Sequence, residues 1–176
     1  MNQADTFGKL EMLGDAVPFV GRIREIIEAI QLFEDFEPEE LNHLARYMRC
    51  YKAVEGTEII HEGEPGDFMM LILDGSVEIV KKDHRGLPAQ IATAGPGKTL
   101  GEMSLIDGEP RFASCIALGE LEFAVLDRES LSRLIADQPR VGVKLMMEFL
   151  MLLNERLRSV SSQLMECMEA RRNRIR

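Results

Sequence analysis

The sequence predicts an α+β protein: a jelly-roll-like antiparallel β-barrel flanked by N-terminal helices and followed by a long C-terminal helix. Between residues 50 and 127, short apolar runs with a period of two alternate with glycine-containing turns, as in a sheet-rich domain. Before and after this stretch the apolar residues recur with a helical period. We therefore expect an N-terminal arm and helix at 1–29, the barrel at 30–138, and a helix with a basic tail at 139–176.

The N-terminal segment has the weakest pattern. Glycine and proline interrupt residues 1–21, which are interpreted as a flexible arm or a short helix. From Arg22 to Phe33, isoleucines recur at helical spacing. The run Glu37-Pro38-Glu39-Glu40 then predicts the start of another helix, because proline suits the first turn and acidic side chains favour the positive end of the helix dipole.

Short apolar runs bounded by turn residues predict the strands of an eight-stranded jelly roll. The clearest of them are 57–61, 68–73, 77–80, 90–93, 111–118 and 121–126. The dipeptide Asp74-Gly75 lies between two of these runs, and this pattern is typical of a two-residue β-hairpin turn.

Helical periodicity returns after Asp127. Asp127 and Ser130 are candidate N-caps for a helix over 131–136, and Gln138-Pro139 predicts its end and the start of a longer helix. In the longer helix, apolar residues recur at alternating steps of four and three, as in a coiled coil. This seam consists of Met146, Leu150, Leu153, Leu157, Val160, Leu164 and Cys167. We expect a homodimer through the 146–167 helix; the alternative is that the seam packs on the chain's own barrel.

The amino-acid composition of the chain argues against several classes of function. The net charge of −9 disfavours nucleic-acid binding, and no apolar run is long enough to cross a membrane. Three cysteines without a CxxC pair indicate reduced thiols in a cytoplasmic protein rather than a disulfide framework or a zinc site. The rival reading is a cupin-like enzyme. His43, His61 and His84 form no His-x-His pair, so we expect no metal, no cofactor and no catalytic residues.

One segment, residues 97–114, carries the candidate chemistry. It reads Gly-Lys-Thr-Leu-Gly-Glu-Met-Ser-Leu-Ile-Asp-Gly-Glu-Pro-Arg-Phe-Ala-Ser. Gly101 would allow a ligand to approach the backbone, and Arg111 can bind a phosphate with two charge-assisted hydrogen bonds. Glu102 can accept hydrogen bonds from a sugar hydroxyl. An acid and an arginine in one short loop therefore suit a sugar phosphate, although the two side chains could also form a salt bridge that only ties the loop.

This segment resembles the phosphate-binding cassette of cyclic nucleotide-binding domains, here at 100–114. The family's cassette reads roughly Phe-Gly-Glu-x-Ala-Leu, a short gap, then Pro-Arg-x-Ala-Ser/Thr. The resemblance extends over about residues 30–164 and includes the Gly63-Glu64-Pro65-Gly66-Asp67 turn and the segment Leu73 to Val77. One departure is Ser104, which stands where the family has alanine.

The resemblance implies a role for each position of the motif. Glu102 would bind the ribose 2′-hydroxyl and Arg111 the cyclic phosphate. The rest of the implied site comprises Gly101, Ser104, Ala113 and Ser114 along the cassette, Ile79, Ile91 and Leu100 on the purine side, Phe112 beside the arginine, and Arg156 on the long helix. Arg156 would stack on the purine; the alternative is a solvated arginine paired with a nearby acid.

Phe112 bears on the choice of ligand. Similar domains that prefer cGMP tend to carry threonine at this position, and phenylalanine offers no hydroxyl, so cAMP is expected rather than cGMP. A phenylalanine there could also narrow the pocket, suit a cyclic dinucleotide, or simply pack outside the pocket.

The function implied by the resemblance is that of a cAMP sensor. Ligand binding would move the C-terminal helix and so signal to a downstream protein that the sequence does not name. Transcription factors of this family continue into a helix-turn-helix domain, and since the chain ends at Arg176 we expect no direct DNA binding. The alternative function is a ligand-free dimeric adaptor with a degenerate pocket.

Overall fold

The computed structural model describes residues 10–30 and 36–174. The strands are β1 Glu11–Asp15, β2 Arg49–Ala53, β3 Glu58–Ile60, β4 Phe68–Asp74, β5 Val77–Lys82, β6 Pro88–Ala94, β7 Thr99–Leu100, β8 Ser114–Ala117 and β9 Leu121–Asp127. The helices are α1 Val20–Ile30, α2 Pro38–Ala45, α3 Glu102–Asp107, α4 Arg128–Asp137 and α5 Pro139–Arg174, and a 3-10 turn at Val17–Phe19 precedes α1.

The strands form two antiparallel sheets. One sheet has five strands in the order β1-β2-β9-β4-β7, and the other has four in the order β3-β8-β5-β6. A core cluster lies between the two sheets, where apolar residues of both are buried and pack together. It includes Phe123 and Ile72 of the five-stranded sheet and Ile59 and Val77 of the four-stranded sheet. The antiparallel architecture of the expected eight-stranded jelly-roll-like barrel is confirmed, but the described residues form nine strands in two sheets rather than one closed barrel.

The helices cover the other face of the five-stranded sheet. There Met69, Leu71 and Leu126 of the sheet form a second buried cluster with residues of α1, α2, α4 and α5, including Leu134 and Leu145. Successive side chains of β4 point to opposite faces, so alternate residues of this strand enter the two clusters and both faces of the sheet are covered. This arrangement fixes α4 and the start of α5 against the sheet.

Two local predictions are wrong, and a third falls partly outside the described residues. Residues 11–15 of the presumed arm are a strand that pairs with β2, from Glu11 opposite Lys52 to Asp15 opposite Arg49. The Asp74-Gly75 turn is not a hairpin, because β4 pairs with β7 and β9 whereas β5 pairs with β6 and β8. The turn instead carries the chain from one sheet to the other. Phe33, the end of the predicted N-terminal helical run, lies outside the described residues.

The helix boundaries follow the predicted signals more closely. Glu37 precedes α2 and forms a capping box with Glu40, which confirms the start predicted at Glu37-Pro38. Asp127 caps α4 by accepting a hydrogen bond of 2.7 Å from the Ser130 N–H. Ser130 is therefore not itself a cap. Gln138 ends α4, and α5 begins at Pro139 as predicted.

The long helix α5 changes its surroundings along its length. Val141, Leu145 and Phe149 are buried against the body of the domain. From Leu157 onward, the side chains described on α5 are exposed. The seam residues Leu157, Val160 and Leu164 have between 59% and 64% of their surface exposed, so the reading in which this part of the seam packs on the chain's own sheets is wrong.

Candidate functional site

The predicted cassette folds as a short strand, a tight turn and a one-and-a-half-turn helix. Gly101 joins β7 to α3 with φ = +87°, a conformation that favours glycine. A Cβ at this position would lie 2.5 Å from Nη1 of Arg111 and 2.9 Å from the carbonyl oxygen of Phe68. Glycine is therefore required both by the backbone conformation and by the close approach of Arg111.

Glu102, the first residue of α3, is almost completely buried, with 1% of its surface exposed. Its carboxylate accepts a hydrogen bond from the Thr99 hydroxyl. It also accepts one hydrogen bond of 3.1 Å on each oxygen from Arg156 of α5. Arg156 donates a further hydrogen bond of 2.6 Å to the Thr99 carbonyl oxygen, so one arginine ties the long helix to the cassette.

Arg111 is held by its backbone against the turn that contains Gly63 and Glu64. The Gly63 N–H donates to the Arg111 carbonyl oxygen and the Arg111 N–H donates to the Glu64 carbonyl oxygen, both at 2.9 Å. The two segments singled out in the sequence, the cassette and the 63–67 turn, thus lie side by side.

The Arg111 side chain is buried, yet its charge has no ionic partner among the described residues. Nη1 donates to the Gly101 carbonyl oxygen at 3.0 Å, whereas Nη2 has no hydrogen-bond acceptor in the described part of the chain. Burial lowers the pKa of the guanidinium. The predicted alternative of a Glu102–Arg111 salt bridge is not formed, since Glu102 pairs with Arg156 instead.

These groups offer complementary chemistry to one class of ligand. A buried guanidinium with an unsatisfied N–H is costly and is relieved when an anion binds to it. The buried carboxylate of Glu102, in the same cassette, can accept hydrogen bonds from hydroxyl groups. The site is thus suited to a molecule that combines one phosphate anion with a neighbouring hydroxyl.

Phe112 lies apart from this buried pair. Burial alternates along the segment, with Arg111 and Ala113 buried and Phe112 56% exposed, so the phenyl ring is directed away from Arg111. Lys81 lies over the ring, with Nζ 4.1 Å from its centroid, and donates a hydrogen bond of 2.6 Å to the Phe112 carbonyl oxygen. Of the alternatives for Phe112, packing outside the pocket agrees best with this placement.

The remaining predicted residues differ in burial. Ser104, Leu100 and Ala113 are buried beside Glu102 and Arg111, and Ile79 packs on the core between the sheets. Ile91, by contrast, is 53% exposed on β6. Ser114 begins β8, and its hydroxyl accepts a hydrogen bond from the Glu62 N–H.

Three residues belong to the site although the sequence did not predict them there. Thr99 bonds to Glu102 through its hydroxyl and to Arg156 through its carbonyl group. Phe68 lies under the Arg111 guanidinium, with Cζ 4.2 Å from the ring centroid, and Gly66 leaves the space in which that guanidinium lies. The 63–67 turn was recognised as a motif, but no sequence signal indicated which of its residues would touch Arg111.

The three histidines considered for a cupin-like metal site lie in different parts of the fold. His43 lies in α2, His61 follows β3 and His84 lies between β5 and β6. Within 10–30 and 36–174, no three metal-ligating side chains are grouped so that they could hold an ion. Burial raises the pKa of the Cys50 and Cys115 thiols to about 12, which keeps both protonated at neutral pH.

The arrangement of sheets and cassette has clear counterparts among known proteins. The family model of the cyclic nucleotide-binding domain matches residues 52–138. A crystal structure of a cyclic nucleotide-binding domain from Methylobacillus flagellatus KT is 40% identical and superposes with a TM-score of 0.82 over 90% of both chains. This chain belongs to the cyclic nucleotide-binding domain family.

Two curated relatives show the settings in which such domains occur. The CRP-like cAMP-activated global transcriptional regulator of Mycobacterium tuberculosis is 30% identical over 140 residues, which cover 80% of this chain and 61% of the regulator. A cAMP-dependent protein kinase regulatory subunit of Aspergillus fumigatus is 33% identical over 109 residues, or 62% of this chain and 26% of the subunit. The chain thus spans about three fifths of the length of the bacterial relative. None of its described helices is both long and apolar enough to cross a bilayer.

Proposed function

We propose that this domain is a cAMP sensor that signals through its long C-terminal helix. The observation that carries the proposal is the buried guanidinium of Arg111, whose Nη2 has no acceptor in the described part of the chain. A cyclic phosphate supplies the missing acceptor and the compensating charge. Both cited relatives are named for cAMP, which makes adenosine 3′,5′-cyclic phosphate the first ligand to test.

The choice of cAMP over cGMP rests on Phe112. Its side chain provides no hydroxyl for the guanine amino group, and its ring is directed away from Arg111. Neither feature penalises adenine. We therefore expect cAMP to bind more tightly than cGMP.

The signalling step follows from the contact between Arg156 and Glu102. When the ribose 2′-hydroxyl donates to Glu102, it competes for the acceptor atoms to which Arg156 donates in this structure. Arg156 then either shares the carboxylate or turns towards the purine, where its guanidinium can stack on the base. In both cases the ligand changes how α5 is attached to the cassette. The ligand can shift the equilibrium between the two arrangements only by as much as its affinities for them differ.

The output of this movement is proposed to pass through a homodimer. The apolar seam of α5 remains exposed from Leu157 to Leu164, a length that a second copy of the same helix can cover. A change in the angle or register of two paired helices would then reach a downstream protein. The chain's contribution is regulatory, and no catalytic step is assigned to it.

Calorimetric titration of the purified protein with cAMP, cGMP and a cyclic dinucleotide tests the proposal. Wild type is compared with Arg111→Ala and with the control Arg85→Ala, which changes an exposed arginine in the turn before β6. We expect cAMP to bind most tightly and its affinity to fall at least about a hundredfold in Arg111→Ala, because two charge-assisted hydrogen bonds are lost. The control should bind normally.

Each contrary result favours a specific alternative. Tightest binding of the dinucleotide would identify a sensor of another second messenger. Failure of all three ligands to bind would favour the dimeric adaptor, in which the Arg156–Glu102 ion pair permanently closes the site. Normal cAMP binding by Arg111→Ala would show that the phosphate lies elsewhere.

A further inference from the structure

Arg111 is held in place without help from a carboxylate. Its side chain forms no salt bridge with the described residues, although it is buried with 5% of its surface exposed. Within the described part of the chain, the guanidinium donates a single hydrogen bond, from Nη1 to the Gly101 carbonyl oxygen. One such bond leaves the guanidinium free to rotate about it, so some other contact must fix its plane.

The Phe68 ring provides that contact. It is 4% exposed at the start of β4, and Cζ of Arg111 lies 4.2 Å from its centroid. An aromatic face attracts a cation through the ring quadrupole, and the attraction is stronger where water is excluded. Unlike a carboxylate, the ring does not neutralise the guanidinium and does not use its N–H groups, so Nη2 stays available for a ligand.

The guanidinium also lies close to Gly66. A Cβ at this position would lie 1.9 Å from Nε and 2.3 Å from Cζ of Arg111, and the backbone of Gly66 is not in the left-handed region. The absence of a side chain is thus a requirement of space rather than of backbone conformation. Gly66 and the Phe68 ring thus form a slot for the Arg111 guanidinium, and both belong to one three-residue stretch of the chain.

We propose that Phe68 is a positioning residue, whose ring holds the Arg111 guanidinium in the orientation that receives the phosphate. The inference rests on the proposed function. Its mechanism is preorganisation: if the productive orientation is only partly populated before binding, the apparent affinity falls by that fraction. The free energy of a buried cation–π contact is equivalent to a roughly three- to thirtyfold change in the population of the productive orientation.

Two variants separate this role from simple packing. Phe68→Leu removes the aromatic face and keeps an apolar side chain. Phe68→3,4,5-trifluorophenylalanine keeps the shape of the ring but cancels most of its negative face. The matched control is the same fluorinated residue at Phe123, which lies in the same core cluster and stacks on Tyr51 rather than on an arginine.

The first readout needs no ligand. In the full chain labelled with ¹⁵N-arginine, the Arg111 Nε–H should give a resolved NMR signal shifted upfield by the ring current of Phe68. We expect Phe68→Leu to remove that shift. An unshifted Arg111 signal in the wild type overturns the inference, whatever the binding result.

The second readout is the dissociation constant for cAMP. We expect it to rise roughly three- to thirtyfold in both Phe68 variants and to stay unchanged in the Phe123 control. An unchanged constant in the fluorinated variant, with wild type binding cAMP, overturns the inference and leaves the proposed function intact. A wild-type chain that binds no cyclic nucleotide overturns the proposed function and with it a ligand-positioning role for Phe68, even if the Arg111 signal is shifted.

Discussion

Arg156, near the middle of α5, donates two hydrogen bonds of 3.1 Å to the buried carboxylate of Glu102 in the cassette. Glu102 is the candidate partner of the ribose, and Arg156 belongs to the helix that would carry the signal. The two are 54 residues apart in the sequence. Their contact makes the ligand site and the candidate output element parts of the same hydrogen-bonded network.

Removal of Arg156 should destabilise the ligand-free protein. In Arg156→Ala the buried Glu102 carboxylate keeps only the Thr99 hydroxyl as a donor among the residues that the structure describes. A buried carboxylate with too few donors costs about 1–3 kcal/mol, so the free energy of unfolding in urea should fall by that amount. The control Arg158→Ala, on an exposed part of the same helix, should change it little.

A second substitution checks the cause of that loss. Glu102→Gln removes the buried charge, so adding Arg156→Ala in this background should cost much less than it does in the wild type. Equal costs in both backgrounds would mean that Arg156 stabilises the fold by packing and not through Glu102.

Gly66→Ala should weaken ligand binding without unfolding the domain. The new Cβ would overlap the guanidinium of Arg111, which is the far end of a flexible side chain and can move aside. The displaced arginine loses its place at the phosphate, and we expect cAMP affinity to fall roughly ten- to hundredfold with little change in melting temperature. Gly119→Ala is the control, because no atom lies within 4 Å of its added Cβ. A large fall in melting temperature with retained affinity would contradict the slot geometry.

Glu40 of α2 should give the fold a defined acid sensitivity. Burial raises the pKa of its carboxyl, but the hydrogen bonds from Lys144 and from the Glu37 N–H, with the charges of Lys144 and Arg140, outweigh burial and hold the pKa below 4.5. Because the folded-state pKa is lowered, the carboxylate stabilises the fold above the ordinary pKa. This contribution is lost as the pH falls below about 4.5 through the folded-state value.

The measurement is the free energy of unfolding between pH 7 and pH 3 for wild type and Glu40→Gln. The wild type should be more stable at neutral pH, and the difference should shrink towards acid pH. A difference that is constant across this range would show that the Glu40–Lys144 contact between α2 and α5 does not contribute through its charge.

Charges placed in the exposed seam of α5 should dissociate the proposed dimer. In Leu157→Glu with Leu164→Glu, two carboxylates on each helix would be buried in the interface, and sedimentation equilibrium should then show monomers. The control Ser162→Glu adds a charge outside the seam and should leave the dimer intact. A wild type that is monomeric at high concentration, or a dimer that survives both seam substitutions, would contradict the assignment.

The cassette could be predicted closely because its constraints are local. Gly101, Glu102 and Arg111 lie within eleven consecutive residues, and the glycine conformation, the helix start and the arginine follow one another in a fixed order. The start of α2 at Pro38 and the break at Gln138-Pro139 were likewise predictable, because helix ends are set by the chemistry of a few neighbouring residues.

Strand partners could not be predicted in the same way. Asp74-Gly75 carries the local signature of a hairpin, yet β4 pairs with β9, about 50 residues later, and β5 with β8. A turn signal specifies that the chain reverses, and it does not specify which sheet each strand joins. β1 was missed for a related reason, since its five residues have no strong alternation and become a strand by pairing with β2.

The sequence by itself determined the family, the cassette and most of the helix and strand segments after residue 37, because short motifs and hydrophobic periods encode local conformation. Only the tertiary structure decided which groups meet at the site: Arg156 with Glu102, Phe68 and Gly66 with Arg111, and Lys81 with Phe112. Arg156 and Glu102 are 54 residues apart in the sequence, and Lys81 and Phe112 are 31 residues apart. Contacts at such separations depend on how the two sheets and α5 pack, and no local pattern records that packing.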